Sequence, residues 1–160
     1  MLHLNLDSLD FKILSTLSDN ARKPFLEIAR ECNVSGAAIH QRVAKLTAMG
    51  VITGSELLVA PSSVGFDTCA YMGFFLKDPS SFTDVVEKLR EIPEVVECYF
   101  TTGEYDMLIK LYARNNDHLL QLIHGPLQNL GLSRTETLIS FKEVFRRPLP
   151  IEVNKEMFKK

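Results

Sequence analysis

Two groups of side chains in this sequence have the types and spacing to do chemistry. The first lies in VSGAAIHQRVAKL, Val34 to Leu46. Stepping 100° per residue from Ile39 puts Val43 and Leu46 on one face, while Ala37, Gln41 and Ala44 point the opposite way with His40 and Lys45 beside them. Ser35 has the chemistry of a helix N-cap, Gly36 and Ala37 keep the first turn small, and no acid occurs from Ser35 to Gly50. Such a face suits close approach to a polyanion. Gln41 can pair with adenine, Ala37 can meet a thymine methyl, Ser35 can bond a phosphate, and Arg42 and Lys45 bring charge. The plainer alternative is a solubilising helix surface.

The second group is TTGEYD, residues 101–106, with RTET, residues 134–137. Gly103 permits close backbone approach, Asp106 suits an ammonium group, and the hydroxyls of Thr135 and Thr137 suit a carboxylate. Against this stands a simple turn at Gly103 and two β-forming threonines. There is no Gly-rich phosphate loop, HExxH or CxxC, and His3, His40, His118 and His124 do not pair at i, i+3 or i, i+4. Neither catalysis nor a metal or other cofactor is therefore expected.

The elements that must carry these groups read from hydrophobic periodicity. Leu6, Leu9, Ile13, Leu14 and Leu17 predict a first helix, with Asp7 as cap and Asp10 in the first turn, ending at Ser18 to Asn20. Pro24 suits the first position of a second helix with Leu26, Ile28 and Ala29 as its apolar stripe. Asn33 and Val34 make a turn into the Ser35 helix, which Gly50 closes, and VITGSELLV, from Val51, reads as a small hairpin. That is a winged helix-turn-helix over residues 1–59, followed by a Pro/Ser/Gly linker at 60–66.

From residue 67 to 151 the order becomes strand, helix, strand, strand, helix, strand: Thr68–Lys77, a helix capped by Ser80 or Ser81, Val95–Thr101, Met107–Arg114, a helix capped by Asn116 or Asp117, and Arg134–Phe145. The second helix should turn Leu120, Ile123, Leu127 and Leu130 inward and be kinked or shortened by Gly125 and Pro126. This is the ferredoxin-like βαββαβ pattern, four antiparallel strands with both helices on one face, so the fold class is α+β. Cys69, Tyr71, Gly73 and Phe75, continued by Leu108 and Tyr112, make the uncovered face largely apolar, which predicts packing against another subunit. Residues 152–160 read as a tail.

Composition bounds the partners. The 160 residues carry a net charge of −2, with six Lys or Arg against five Asp or Glu up to residue 54 and twelve against fifteen beyond it. Bulk electrostatics would not bring this protein to DNA, so local placement of charge and more than one bound copy are needed. Cys32, Cys69 and Cys98 are few and far apart, as expected of reduced, buried thiols in a cytoplasmic protein. Neither a secretory signal nor a membrane-spanning run is visible.

LDSLDFKIL (Leu6 to Leu14), Arg22, LEIA, VSGAAIHQRVAKL and GVI, and then IPEVVECYFTTGEYDMLIKL (92–111) and RTETLISF (Arg134 to Phe141), together resemble the Lrp/AsnC, or feast/famine, family of prokaryotic transcription regulators. The resemblance covers roughly residues 4–151. It implies binding of double-stranded DNA, sheet-to-sheet homodimers that often assemble into octamers, and an amino acid or related small metabolite bound near Gly103, Tyr105, Asp106, Thr135 and Thr137. An architectural DNA-binding protein without an effector keeps the same helix face, and a metabolic enzyme on the ferredoxin-like domain is the remote alternative.

Overall fold

A computed structural model describes residues 6–151. His3 and the 152–160 tail lie outside the described residues. The chain divides into two compact units, one running to Leu57 and resuming at Phe145, the other Leu58–Val144.

The first unit is built on three helices, α1 Ser8–Asp19, α2 Phe25–Cys32 and α3 Gly36–Ala48. Asp7 and Asp10 start α1 with a capping box. The Asp7 carboxylate accepts from the Leu9 and Asp10 N–H groups at 2.9 and 3.0 Å, and Asp10 accepts in return from the Asp7 N–H at 3.1 Å. Pro24 sits one position earlier than expected, as the N-cap of α2, where its carbonyl accepts from Ile28. Asn33 takes the left-handed conformation, φ 55°, that reverses the chain, and the Ser35 hydroxyl accepts from the Ala38 N–H at 3.2 Å.

Ile13, Ile28, Ala29 and Ile39 are buried together, with Leu9, Phe25 and Val43 against them, and Leu46 is buried farther along α3. Leu26 does not belong to this core. It is 58% exposed, because Phe25, Ile28 and Ala29 already fill the i, i+3, i+4 stripe. Each buried isoleucine contributes about 1.5–3 kcal/mol, and a domain this small is marginal, so polar ties between its helices carry weight.

The hairpin expected from Val51 is not formed. Gly50, at φ 71°, ends α3 in a Schellman arrangement: its N–H bonds the Thr47 carbonyl at 3.0 Å and the Val51 N–H bonds that of Leu46 at 2.9 Å. The Ile52 N–H also reaches Leu46, at 3.2 Å. The first arm's donors are thus spent on the helix end, and residues 53–60 run without strand pairing, leaving Leu57 and Leu58 exposed.

The second unit contains β1 Thr68–Leu76, α4 Phe82–Arg90, β2 Val95–Phe100, β3 Met107–Ala113, α5 Asn116–Leu122 and β4 Leu132–Ser140. The strands pair antiparallel in the order β2-β3-β1-β4, the expected ferredoxin-like sheet. Ala70, Met72 and Phe74 of β1 and Met107, Ile109 and Leu111 of β3 are fully buried under Val85 and Leu89 of α4 and Leu119 and Leu122 of α5.

Local details differ from expectation. Asp78 caps a short 3-10 turn, Pro79–Ser81, ahead of α4, and Asn115 caps α5 by accepting from the His118 N–H at 2.8 Å. Leu120 is exposed, because Leu119, Leu122 and Ile123 form the inward stripe instead. A π-type turn, Ile123–Leu127, follows α5 with non-helical backbone at Gly125, the expected interruption. The last strand stops at Ser140, whose partner Cys69 is the second residue of β1; beyond it β1 has almost nothing left to pair with. Cys98, on edge strand β2, is exposed, whereas Cys32 and Cys69 are half-buried.

Candidate functional site

On α3 the sequence places Ile39 and Leu46 inward and leaves Ala37, His40, Gln41, Ala44 and Lys45 exposed. Among the described residues, no side-chain hydrogen bond or ion pair holds Gln41 or Lys45. Ser35 is exposed at the helix start, and Gly36 lies half-buried, where an added Cβ would sit 3.6 Å from Leu26. His40 stacks edge-on against Phe25, ring centroids 4.7 Å apart, which fixes one border of the face.

Arg42 departs from its expected place. Its Nη1 donates to Asp10 Oδ1 at 3.0 Å and to Asp7 Oδ2, so the guanidinium lies against the start of α1 and not on the outward face. At helical spacing Arg42 borders both faces, and the two carboxylates of the capping box draw it inward. Burial opposes the charge on Asp7, but the hydrogen bonds from Arg42 and the Asp10 N–H prevail and hold its carboxyl below the usual aspartate value.

The second group of candidates is divided by the sheet. Gly103 makes the β2–β3 turn with φ 122°, and the Thr101 hydroxyl closes it on the Tyr105 carbonyl at 2.6 Å. The Tyr105 ring lies over Gly73 and edge-on to Phe75, with centroids 5.4 Å apart, and its hydroxyl donates to Glu136 at 2.7 Å. That carboxylate holds the Tyr105 phenol above the usual tyrosine pKa. Asp106 uses Oδ2 to accept from the Leu76 N–H at 2.8 Å, and its own N–H bonds the Phe74 carbonyl at 3.0 Å. Thr135 and Thr137 pair in register with Phe74 and Met72 and so project to the helix-covered face, opposite Tyr105. A single chain therefore does not bring the five residues together. On the helix-covered side a cleft of about 250 Å³ is lined by Met72, Leu127 and Leu132 and by polar His124, Gln128 and Thr135.

The uncovered face is less apolar than its strand pattern suggested. Lys110, only 6% exposed, sits 5.8 Å from the Tyr71 ring centroid and 5.4 Å from that of Tyr112, with Glu97 at 3.4 Å. Burial works against its charge, yet Glu97 and the two tyrosines outweigh it and raise the ammonium's pKa. Gly73 and Glu136, which position Tyr105, were not singled out from the sequence. A glycine inside a strand pattern was the available sign for the first; for Glu136 there was none. Among the described residues no group of His, Cys, Asp and Glu is arranged to hold a metal, and no helix is long and apolar enough to cross a membrane.

An exposed acid-free helix following a helix and a tight turn, carried in one chain with a cleft-bearing ferredoxin-like unit, defines the class of DNA-binding regulators that carry a small-molecule-binding domain. A family model described as the Lrp/AsnC ligand binding domain matches residues 69–150, and one described as winged helix-turn-helix DNA-binding matches residues 6–53, ending before the unpaired segment. The HTH-type transcriptional regulator Ptr1 of Methanocaldococcus jannaschii is 38% identical over 90% of this chain and 99% of its own length. The structure of E. coli AsnC superposes with a TM-score of 0.83 at 35% identity, covering 90% of this chain and 97% of that one. The Neisseria meningitidis regulator solved in complex with L-Met matches with a TM-score of 0.84 over 95% of this chain and 99% of that one, and at 23% identity it speaks for the fold alone. The chain belongs to the Lrp/AsnC family of transcription regulators.

Proposed function

We propose that this regulator reads double-stranded DNA with the outward face of α3 in the major groove, that it does so as a homo-oligomer, and that an amino acid or similar metabolite biases its assembly in the cytoplasm. The observation that carries the reading is the exposed stretch in which Gln41 and Lys45 stand without partners on a helix free of acids. Gln41 offers donor and acceptor together to an adenine edge, Lys45 takes a phosphate, and the Ser35 helix start takes another. So few contacts per copy bind weakly, and two α3 helices about 34 Å apart would engage half-sites one helical turn apart.

The uncovered sheet face, with Tyr71, Phe75, Leu108, Tyr112 and Leu138, supplies the surface on which two copies pair. Tyr105 and Thr135 lie on opposite sides of one sheet, so an effector that touches the Gly103 turn and the threonines needs a second copy to complete its site. The fold itself has been solved with L-Met bound, which favours an amino acid as the class. A ligand that binds one assembly better than another shifts the population between them, and that difference in affinity is the whole of the coupling.

Lys45→Ala tests the DNA-facing assignment. On a duplex selected from a random pool, its affinity should fall and the slope of log affinity against log salt should shrink in magnitude by about one, the signature of a lost phosphate contact. Unchanged affinity and slope would remove this face from the DNA interface.

A further inference from the structure

Arg42 is the one basic residue of α3's stretch whose charge is already used. Its Nη1 bonds both carboxylates that start α1, and each of those carboxylates is occupied on its other side by the capping box: Asp7 Oδ1 accepts from Leu9 and Asp10, and Asp10 Oδ2 from Asp7. The Asp10 side chain is 3% exposed and that of Arg42 33%. A carboxylate so deeply buried beside a matched cation is a costly group to leave alone. The arrangement thus ties the middle of α3 to the first turn of α1 on the flank of the small Ile13, Ile28 and Ile39 core, where α3 otherwise has only apolar packing to fix its roll and tilt.

We propose that Arg42 is a positioning residue for sequence reading: it acts through Asp10 and Asp7 to hold the roll of α3, so that Gln41 meets base edges, and it is not itself a phosphate contact. Gln41 precedes Arg42 on the same turn. A few degrees of rotation about the helix axis move the Gln41 amide relative to α1 and α2, while the positive charge of the unit stays the same. Specific binding depends on that geometry and non-specific binding does not, because the latter needs only charge near the backbone. This inference rests on the reading of α3 as the DNA-facing helix.

The two roles for Arg42 predict opposite signs for one substitution. If Arg42 were a phosphate clamp held back by the acids, Asp10→Asn would release it, remove a negative charge, and tighten binding. If it positions the helix, Asp10→Asn weakens specific binding in spite of the more favourable charge. The experiment measures binding of the full-length protein by fluorescence anisotropy to a duplex selected from a random pool and to a scrambled duplex, across a salt series, for Arg42→Ala, Arg42→Lys, Asp10→Asn and Lys45→Ala. Circular dichroism at the assay temperature secures the folded fraction, so that lowered stability alone leaves the ratio of specific to scrambled affinity where it was.

Arg42→Ala and Asp10→Asn are expected to lose about tenfold in that ratio, with scrambled-duplex affinity unchanged within about twofold and the salt slope unchanged. Arg42→Lys should recover most of the loss, because both bonds issue from a single nitrogen that an ammonium can replace. Tighter binding by Asp10→Asn, or a slope reduced by about one in Arg42→Ala, overturns the proposal while leaving the DNA-facing helix in place. An unaltered Lys45→Ala alongside unaltered Arg42→Ala overturns both.

Discussion

Gly73→Ala should lower the melting temperature of the sheet-bearing unit by about 5–15 °C, the range set by an overpacking cost of about 1–3 kcal/mol in a unit of this size. A Cβ at position 73 would stand 2.4 Å from Cδ1, 2.5 Å from Cε1 and 2.6 Å from Cγ of Tyr105, well inside contact distance. The ring cannot slide far. Phe75 borders it, Glu136 holds its hydroxyl, and its own carbonyl is tied to the Thr101 hydroxyl. The substitution must therefore move the turn that carries Gly103 and Asp106, and the stabilisation that any amino-acid ligand gives should fall with it. Adding Tyr105→Ala opens the space again, so the double variant should melt higher than the sum of the two single losses predicts. A Gly73→Ala protein that melts within a degree of wild type would show that this contact does not hold the turn.

Leu138→Asp should convert the oligomer to monomer, read by light scattering at micromolar concentration. Leu138 is 58% exposed in the single chain, sits opposite Tyr71 in the register, and lies on the sheet face that neither helix covers. It contributes little to the chain's own core, so circular dichroism should stay native, whereas a buried unpaired carboxylate in a sheet-to-sheet interface costs several kcal/mol. DNA affinity should then drop by about a hundredfold or more, since pairing turns the second helix's contact into an intramolecular step. A monomer that still binds with wild-type affinity would separate DNA reading from assembly. An unchanged oligomer would place the interface on another face.

The sequence carried the helix-turn-helix and the order of the second unit because both follow from local rules. Asp7, Asn33, Ser35 and Gly50 are cap and turn residues whose backbone roles depend on neighbours two to four positions away, and all four serve as expected. The strand pattern fixed which residues of β1 face the helices. Long-range pairing was not legible in the same way. Arg42 looked like a phosphate ligand because its type and offset were right, but its partners lie more than thirty residues away in the chain. Lys110 was hidden within an apolar alternation, and only the fold brings Glu97, Tyr71 and Tyr112 around it. Tyr105 and Thr135 share a neighbourhood in the pattern and yet project from opposite faces, a distinction set by strand register.

The hairpin after Gly50 failed for another reason. Val51 and Ile52 have the β-forming side chains that the pattern demands, but their N–H groups complete the end of α3. Side-chain type does not record which carbonyl a backbone donor has already found. Similarly, Leu26 and Leu120 were assigned inward by hydrophobicity, and each lost its place to neighbours that filled the stripe better.

The claim at the centre of this account is that Gln41, on the outward face of α3, reads base edges. Its most direct test is the ratio of affinities for a selected and a scrambled duplex at one salt concentration, compared between wild type and Gln41→Ala. Loss of a bidentate base contact should reduce that ratio by about tenfold to a hundredfold per helix while leaving scrambled-duplex binding and the melting temperature unchanged. A Gln41→Ala protein that keeps the wild-type ratio would contradict the account.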